Sequence, residues 1–396
     1  MTNAQLTAGA IESPLRKYNN LLMGVSLVLI AFAVYGSITT LIWGEATHGT
    51  SADVPWGILI SGYSFFVGIT TGLCVLSALG HLFNFPAFHV LSKRGMFFSF
   101  CAMLGGFLLI GMELGQPLRL IWTVFSPNLA SPIWWIGALY SFYVVIILLE
   151  LYFLIQRNLS GALTTGAVGF IVGVAAQSTL GGVFGTIHAR PIWNGPYIPV
   201  FFIVSSIICA IAVMILLQNL LGPNEEVMSP DHKHTSGILT KLFGVTIGVA
   251  ILSEFWFAVS ALRLFAPMGE SGAVSALMTG PLSLSYWLLQ IIIGLVVPLA
   301  LILMTRGANS RVNMLAAVMV LIGQFFMRYN LVIAGQSVPI RDLIPGAPLA
   351  AVDQFASYFP SFTEIALVLG AFGITLFLYL LAERFFNLGE EQETDH

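Results

Sequence analysis

Three polar side chains stand inside otherwise apolar stretches of this 396-residue chain, and together they suit one kind of chemistry. Tyr63 carries a phenol, Glu113 a carboxyl group and Gln177 an amide, each in a different stretch. Counting about 1.5 Å per helical residue places all three at nearly one depth. Such groups facing an aromatic-lined pocket suit a quinone, whose carbonyls accept hydrogen bonds and whose reduction takes up two protons. Tyr63 and Gln177 could equally bridge neighbouring helices, and spacing alone leaves both interpretations open.

The elements that must position these groups are ten apolar stretches. The chain is 57% hydrophobic and only 8% charged, whereas a soluble domain has roughly 25% charged residues. Stretches of about 20 apolar residues cross a bilayer as helices, which satisfy their own backbone hydrogen bonds. They begin near Asn20, Trp56, Gly95, Ile133, Gly161, Pro199, Gly237, Leu282, Val312 and Phe362. We expect an all-α polytopic integral membrane protein with about ten transmembrane helices, arranged as two four-helix bundles plus flanking helices.

The basic residues predict how the chain is oriented. Ten of the fifteen Lys and Arg residues fall in alternate gaps between the apolar stretches: Arg16, Lys17, Lys93, Arg94, Arg157, Lys233, Lys241, Arg306, Arg311 and Arg384. The other gaps hold only Arg119, Arg190 and Arg341. The positive-inside rule then predicts that both termini are cytoplasmic. The polar first nineteen residues do not form a cleavable signal, so we expect the first helix to stay as an anchor in the bacterial cytoplasmic (inner) membrane.

Four regions follow from this order of helices. We expect an N-terminal tail with the first helix over residues 1–54, and a quinone-binding four-helix bundle plus a sixth helix over 55–221. The charged stretch 222–238 is typical of a cytoplasmic linker, and 239–396 would hold the C-terminal helices and an acidic tail. The net charge of -3 offers no basic surface for nucleic acid. The lipid bilayer is the expected surrounding instead.

Cysteines and histidines argue against a bound redox metal. Cys74, Cys101 and Cys209 lie in separate stretches without a C-x-x-C pattern, so neither an iron–sulfur cluster nor another metal site is expected. The seven histidines do not pair at mid-bilayer, as ligation of a membrane haem would require. Electrons must therefore pass through a diffusible carrier or a partner protein.

Ionisable groups inside the apolar stretches are a second candidate set. Each costs about 2.5 to 3.5 kcal/mol on insertion scales, so each needs a partner or a function. We take as proton-path candidates His81, Glu150, Glu254, Arg263, Arg328 and Glu364. The alternative is that Arg263 and Arg328 neutralise Glu254 or Glu364.

Three segments carry a family resemblance. The W-G-x5-Y-x-F-x-V-G-x3-G pattern at Trp56–Gly72, the E-L-G-x-P at Glu113–Pro117 and the A-R-P-x-W-N-x-P-x-x-P at Ala189–Pro199 together resemble the NrfD/PsrC family, the polysulfide reductase membrane subunits. The Gln177-Ser178-Thr179 and Arg328-Tyr329-Asn330 segments are similar to its larger ten-helix branch, which resembles the HybB-type hydrogenase membrane subunit.

This resemblance implies a site and partners. A menaquinone or ubiquinone would bind near the periplasmic face and exchange electrons with a ferredoxin-like iron–sulfur subunit, with a catalytic subunit, molybdopterin-containing or other, beyond it. Tyr63 and Glu113 would be the catalytic residues. The implied quinone contacts are Tyr63, Glu113, Gln177, Ser178, Trp56 and Trp193.

We therefore expect a quinone-reactive anchor subunit of a respiratory oxidoreductase complex, active in quinol/quinone oxidoreduction and associated with proton movement. Two other classes stay open on the sequence. Ten helices with buried acids and arginines also suit an ion-coupled secondary transporter. A purely structural anchor would bind no quinone.

Overall fold

The computed structural model describes residues 14–82, 86–221, 230–261, 268–339, 355–386 and 388. Within these residues, ten helices are long and apolar enough to cross a membrane, which confirms the predicted all-α polytopic class. We number them α1 Pro14–Trp43, α2 Ile58–Leu82, α3 Pro86–Glu113, α4 Pro132–Ile155, α5 Leu159–Gly185, α6 Tyr197–Leu221, α7 Pro230–Ala261, α8 Ser285–Thr305, α9 Ser310–Ala334 and α10 Phe362–Phe386.

Local sequence sets several of these helix ends. The side chain of Asn158 accepts a hydrogen bond from Gly161 N at 3.0 Å and so caps α5. Asn309 caps α9 in the same way through Arg311 N. Asparagine is a favoured residue there because its side chain satisfies amides that have no partner within the helix. Pro132 begins α4, a position where its missing N–H costs nothing.

The helices pack as two rings of four. Helices α2 to α5 form the first ring and α6 to α9 the second, while α10 packs against both α1 and α3. Helix α2 lies at the centre and also contacts α6 and α9. A Cβ on Gly72 would come within 2.0 Å of Ser206 O, so this glycine allows α2 and α6 to meet backbone to backbone. The predicted two bundles with flanking helices are confirmed.

We call one end of the molecule the outer end; it is the end predicted to be periplasmic. It holds the connections 44–57, 114–131, 186–196 and 335–361. Residues 340–354 of the last connection lie outside the described part. Hydrogen bonds join these connections: Arg190 Nη1 donates to Val338 O at 2.6 Å, and Trp56 N donates to Gln336 Oε1 at 2.9 Å. The predicted linker is at the opposite, inner end. It is helical from Pro230 onward, and residues 222–229 lie outside the described part.

Helix α8 departs from the regular α-helix. Residues Ser285–Val296 follow a π-helical pattern, and Val297–Thr305 return to α-helix. Its Gly294 meets Gly323 of α9 so closely that a Cβ on Gly323 would lie 2.2 Å from the Gly294 Cα. Glycine at both positions therefore sets the distance between these two helices.

Candidate functional site

Two of the predicted quinone contacts belong to one buried polar cluster in the first bundle. The Tyr140 hydroxyl of α4 donates to Gln177 Oε1 of α5 at 2.8 Å, and Gln177 Nε2 donates to Phe202 O of α6 at 3.4 Å. The ring of Tyr63 lies edge-on to Tyr140, with 6.1 Å between centroids. Tyr63 and Gln177 are 5% and 0% exposed, so both are enclosed by protein.

Arg328 of α9 enters the same cluster from the second bundle. Its Nη2 donates to Phe202 O at 3.3 Å and to the Ser205 hydroxyl. Its guanidinium carbon lies 3.6 Å from the centre of the Phe202 ring, a cation–π contact. Arg328 thus pairs with neither Glu254 nor Glu364. The expected neutralisation by Arg328 is wrong, because the rotation of α9 points its guanidinium at α6.

The predicted tryptophans form an aromatic group nearer the outer end. Trp56 and Trp193 stack with ring centroids 5.6 Å apart, and Phe184 packs edge-on against both. The Trp193 indole N–H donates to Leu331 O at 2.8 Å. Gly335 makes room for this ring, since a Cβ there would lie 1.9 Å from Trp193 Cε2.

Ser178 is placed less favourably for ligand contact. Its hydroxyl donates to Val174 O of its own helix at 2.7 Å. This local bond is the common alternative for a serine inside a helix.

Glu113 lies apart from Tyr63 and Gln177. Its carboxyl group faces the backbone N–H of Gly57, and its Oε2 is buried without a hydrogen-bond partner. Gly57 precedes Tyr63 by six residues, which is about 9 Å along a helix. The expectation that all three groups share one depth is therefore wrong for Glu113, which lies further out.

A groove at the outer end lies beside Glu113. It encloses about 740 Å³ and is lined by Leu41, Ile42, Trp43, Gly44, Glu45, Leu114, Gly115, Gln116 and Arg119. Trp43 and Leu114 are 69% and 44% exposed, and Glu45, Gln116 and Arg119 add polar groups to the lining, so the groove is of mixed polarity and opens outward. Gly115 has a φ of +61° and so turns the chain directly after α3. The volume lies within the range of about 300 to 1,000 Å³ that is usual for small-molecule sites.

The proton-path candidates fall at three separate places. Glu150 is buried in the inner half of the first bundle and accepts from the Ser77 hydroxyl at 3.1 Å. Glu364 is buried at the outer end, where it accepts from Gly49 N, Ser361 N and the Tyr358 hydroxyl, all at 2.7 Å. The structure does not join these two acids into one path. Arg263 and the side chain of His81 lie outside the described part.

Glu254 occupies the third place, inside the second bundle. It accepts from Gln290 Nε2 at 2.8 Å, and Gln290 in turn accepts from Asn330 Nδ2 at 2.8 Å. These three residues line a cavity of about 20 Å³. That space suits a single water molecule, and it is too small for a quinone.

Burial alters three titratable groups at the outer end. Burial lowers the pKa of His48 below its usual 6.5, against the opposing effect of Glu364 and Glu45. Burial likewise lowers the pKa of Arg190. The pKa of the Tyr358 phenol is raised, first by burial and then by the adjacent carboxylate of Glu364. For each of these three groups, burial shifts the equilibrium toward the uncharged form.

Sequence reasoning missed Tyr140, Phe202, Ser205, Gln336 and Tyr358. All five contact predicted site residues. The position of Tyr358 in the sequence indicates a role in the site, because it ends a long connection next to α10 and lies six residues before Glu364. Tyr140, Phe202 and Ser205 stand in apolar stretches without a motif of their own, and Gln336 lies just after the end of α9.

Fold and site together define a polytopic integral membrane protein, with ten membrane-spanning helices among the described residues, buried polar clusters and a groove of mixed polarity at one end. Among the described residues, no three His, Cys, Asp or Glu side chains group closely enough to hold a metal ion. Residues 46–340 match the family model described as polysulphide reductase, NrfD. The chain belongs to this family.

Three relatives match nearly the whole chain. It is 22% identical to a selenate reductase subunit of Mesobacillus selenatarsenatis, over 93% of this chain and 95% of the relative. It is 25% identical to the Hdr-like menaquinol oxidoreductase integral membrane subunit of Archaeoglobus fulgidus, over 88% of each. It is 22% identical to a putative dimethyl sulfoxide reductase membrane subunit of Halobacterium salinarum, over 92% of this chain and 91% of the relative.

Proposed function

We propose that this chain is the quinone-reactive membrane subunit of a respiratory oxidoreductase complex, and that it acts in a bacterial cytoplasmic membrane. It exchanges electrons between a quinone, menaquinone or ubiquinone, and an iron–sulfur subunit docked at the outer end. A catalytic subunit beyond it carries the terminal chemistry. The names of the three relatives support a redox complex over the alternative of an ion-coupled transporter.

The single observation that carries the proposal is the Glu113 carboxyl oxygen, which has no hydrogen-bond partner among the described residues and lies next to a groove with exposed apolar side chains. A quinone is a lipid-soluble molecule, and the exposed Trp43 and Leu114 offer it an apolar approach from the bilayer. The head group needs a group that gives or takes protons where it reacts. Glu113 supplies such a group next to this groove: it is not a lining residue itself, but it directly precedes the lining residue Leu114.

The chain's own residues have separate tasks in this mechanism. Glu113 transfers the protons that accompany the two-electron exchange of the quinone with the iron–sulfur subunit. The stacked tryptophans Trp56 and Trp193 form a rigid aromatic group at the outer end of the first bundle. Tyr63 and Gln177 supply hydrogen-bonding groups deeper in the first bundle, where side chains must move to admit a head group because both residues are buried.

Glu113→Gln in the intact membrane complex tests this role. The amide keeps the shape but cannot transfer a proton, so quinone-linked turnover should fall about 100-fold. Glu45→Gln is the matched control, because Glu45 lines the same groove but is exposed. Turnover should be measured in membrane vesicles with the amount of assembled complex quantified. Unchanged turnover of the Glu113→Gln complex would remove the assigned role.

A further inference from the structure

The charge of Arg328 has no carboxylate partner in the described structure. Its side chain is 2% exposed and lies within the α9 span. The ion pair found among the described residues joins Arg94 to Glu383, at the inner end. A guanidinium at membrane depth is costly unless it meets a partner, and it marks a functional site by default.

One half of the guanidinium is fixed and the other half is free. Nη2 is held by Phe202 O and the Ser205 hydroxyl, and the ring of Phe202 supports the group from one face. Nη1 is buried without a hydrogen-bond partner among the described residues. An unmade hydrogen bond from a buried charged donor is unfavourable, so this nitrogen is available to an acceptor on a ligand.

The guanidinium of Arg328 lies next to α2 of the first bundle, so we expect its missing acceptor there as well. A Cβ on Gly68 would lie 3.5 Å from Arg328 Nη2 and 3.7 Å from Gln177 Nε2, so both donors flank the same point of α2. Tyr140 occupies the Gln177 carbonyl oxygen through its hydroxyl. Gln177 and Arg328 therefore present mainly N–H donors in this region, which suits an electron-rich oxygen.

We infer that Arg328 Nη1 donates a hydrogen bond to a carbonyl oxygen of a quinone whose head group has moved from the groove inward to Tyr63 and Gln177, so that the second bundle contributes a binding residue to this inner position, about 16 Å from Glu113 along α2. This inference rests on the proposed function. The positive charge favours whichever ligand form carries more electron density on that oxygen. The inferred hydrogen bond also explains why a charged residue is buried here, which neither a proton path nor the neutralisation of an acid explains.

Menadione binding to the purified chain in lipid nanodiscs tests the inference. Quenching of tryptophan fluorescence reports binding, since Trp56 and Trp193 belong to the proposed site. Arg328→Met should weaken menadione affinity at least about tenfold. The affinity of Arg328→Lys should lie between those of the wild type and Arg328→Met, because lysine keeps the positive charge but lacks the two guanidinium nitrogens that bind at once. Gln324→Met is the matched control, a buried polar residue of the same helix whose Oε1 also has no partner. Its affinity should match that of the wild type.

Each outcome has a separate meaning. Wild-type affinity in Arg328→Met overturns the inference and leaves the proposed function intact, whereas absence of saturable binding to the wild-type chain overturns both. If Arg328→Met does not fold, the infrared carbonyl stretch of isotope-labelled menadione on the wild-type chain decides. A stretch lowered relative to protein-free lipid supports the hydrogen bond, and an unshifted stretch of the bound molecule contradicts it.

Discussion

At the scale of the residue, the outer end concentrates polar groups that have little access to water. Glu364 is enclosed by two backbone amides and the Tyr358 hydroxyl. Gly57 packs directly against it, because a Cβ there would lie 2.5 Å from Glu364 Oε1. His48 stands nearby, 8% exposed, with its Nε2 3.2 Å from the Thr40 hydroxyl. The stability of this end should therefore respond to pH.

His48 gives a prediction with a definite sign. Because its pKa in the fold is below 6.5, the unfolded chain binds the proton first as the pH falls through 6.5. The folded state is thereby destabilised at acid pH, and the loss is complete below the folded-state pKa. His48→Gln should remove this part of the acid sensitivity.

The measurement is the midpoint of thermal unfolding in detergent, above and below pH 6.5, for the wild type and His48→Gln. The wild-type midpoint should fall more on acidification than that of the variant. Equal falls would show that the protonation of His48 does not differ between the folded and unfolded chain.

At the scale of the element, the ten helices could be predicted because runs of apolar residues alone specify membrane spans. The starts of α2, α4, α5, α6, α9 and α10 fall within two residues of the expected positions. The starts of α1, α3 and α7 lie six to nine residues earlier than expected; α3, for example, was expected near Gly95 and is at Pro86, because the helix extends beyond the apolar run. Apolar length reports the membrane-embedded part of a helix and not its full extent.

The rotation of each helix could not be predicted in the same way. Helices such as α6 are apolar around their whole circumference, so the sequence pattern does not tell which face meets which neighbour. For this reason Tyr140 was not foreseen as the partner of Gln177, and Arg328 was expected to meet an acid. Glu113 was set at the wrong depth because position along a span was counted from approximate ends.

Gly323 provides a prediction for helix packing. Gly323→Ala would push α9 away from α8, since the new Cβ would lie 2.2 Å from the Gly294 Cα. We expect destabilisation of about 1 to 3 kcal/mol, as for overpacked cores, seen as a lower unfolding midpoint in detergent. Gly248→Ala in α7 is the control, because nothing lies within 4 Å of its added Cβ. A wild-type midpoint for Gly323→Ala would contradict the close crossing of α8 and α9.

At the scale of the whole molecule, the two bundles form one unit through α2, α6 and α9. Arg328 of the second bundle reaches α6 next to the polar cluster of the first, and Arg190 ties the outer connections of both bundles together. Helices α1 and α10 flank the first bundle, and the end of α1 lines the groove with Leu41, Ile42 and Trp43. We propose that a quinone entering there binds in the first bundle, with Arg328 of the second bundle as an additional contact.

Photo-crosslinking with an azido-naphthoquinone in native membranes tests this central claim most directly. Labelled peptides identified by mass spectrometry should come from the end of α1 and from α2 and α3, including the residues around Trp43, Tyr63 and Glu113. An excess of menadione should remove this labelling. Labelling confined to α7 and α8, or labelling that menadione does not displace, would contradict a quinone site in the first bundle.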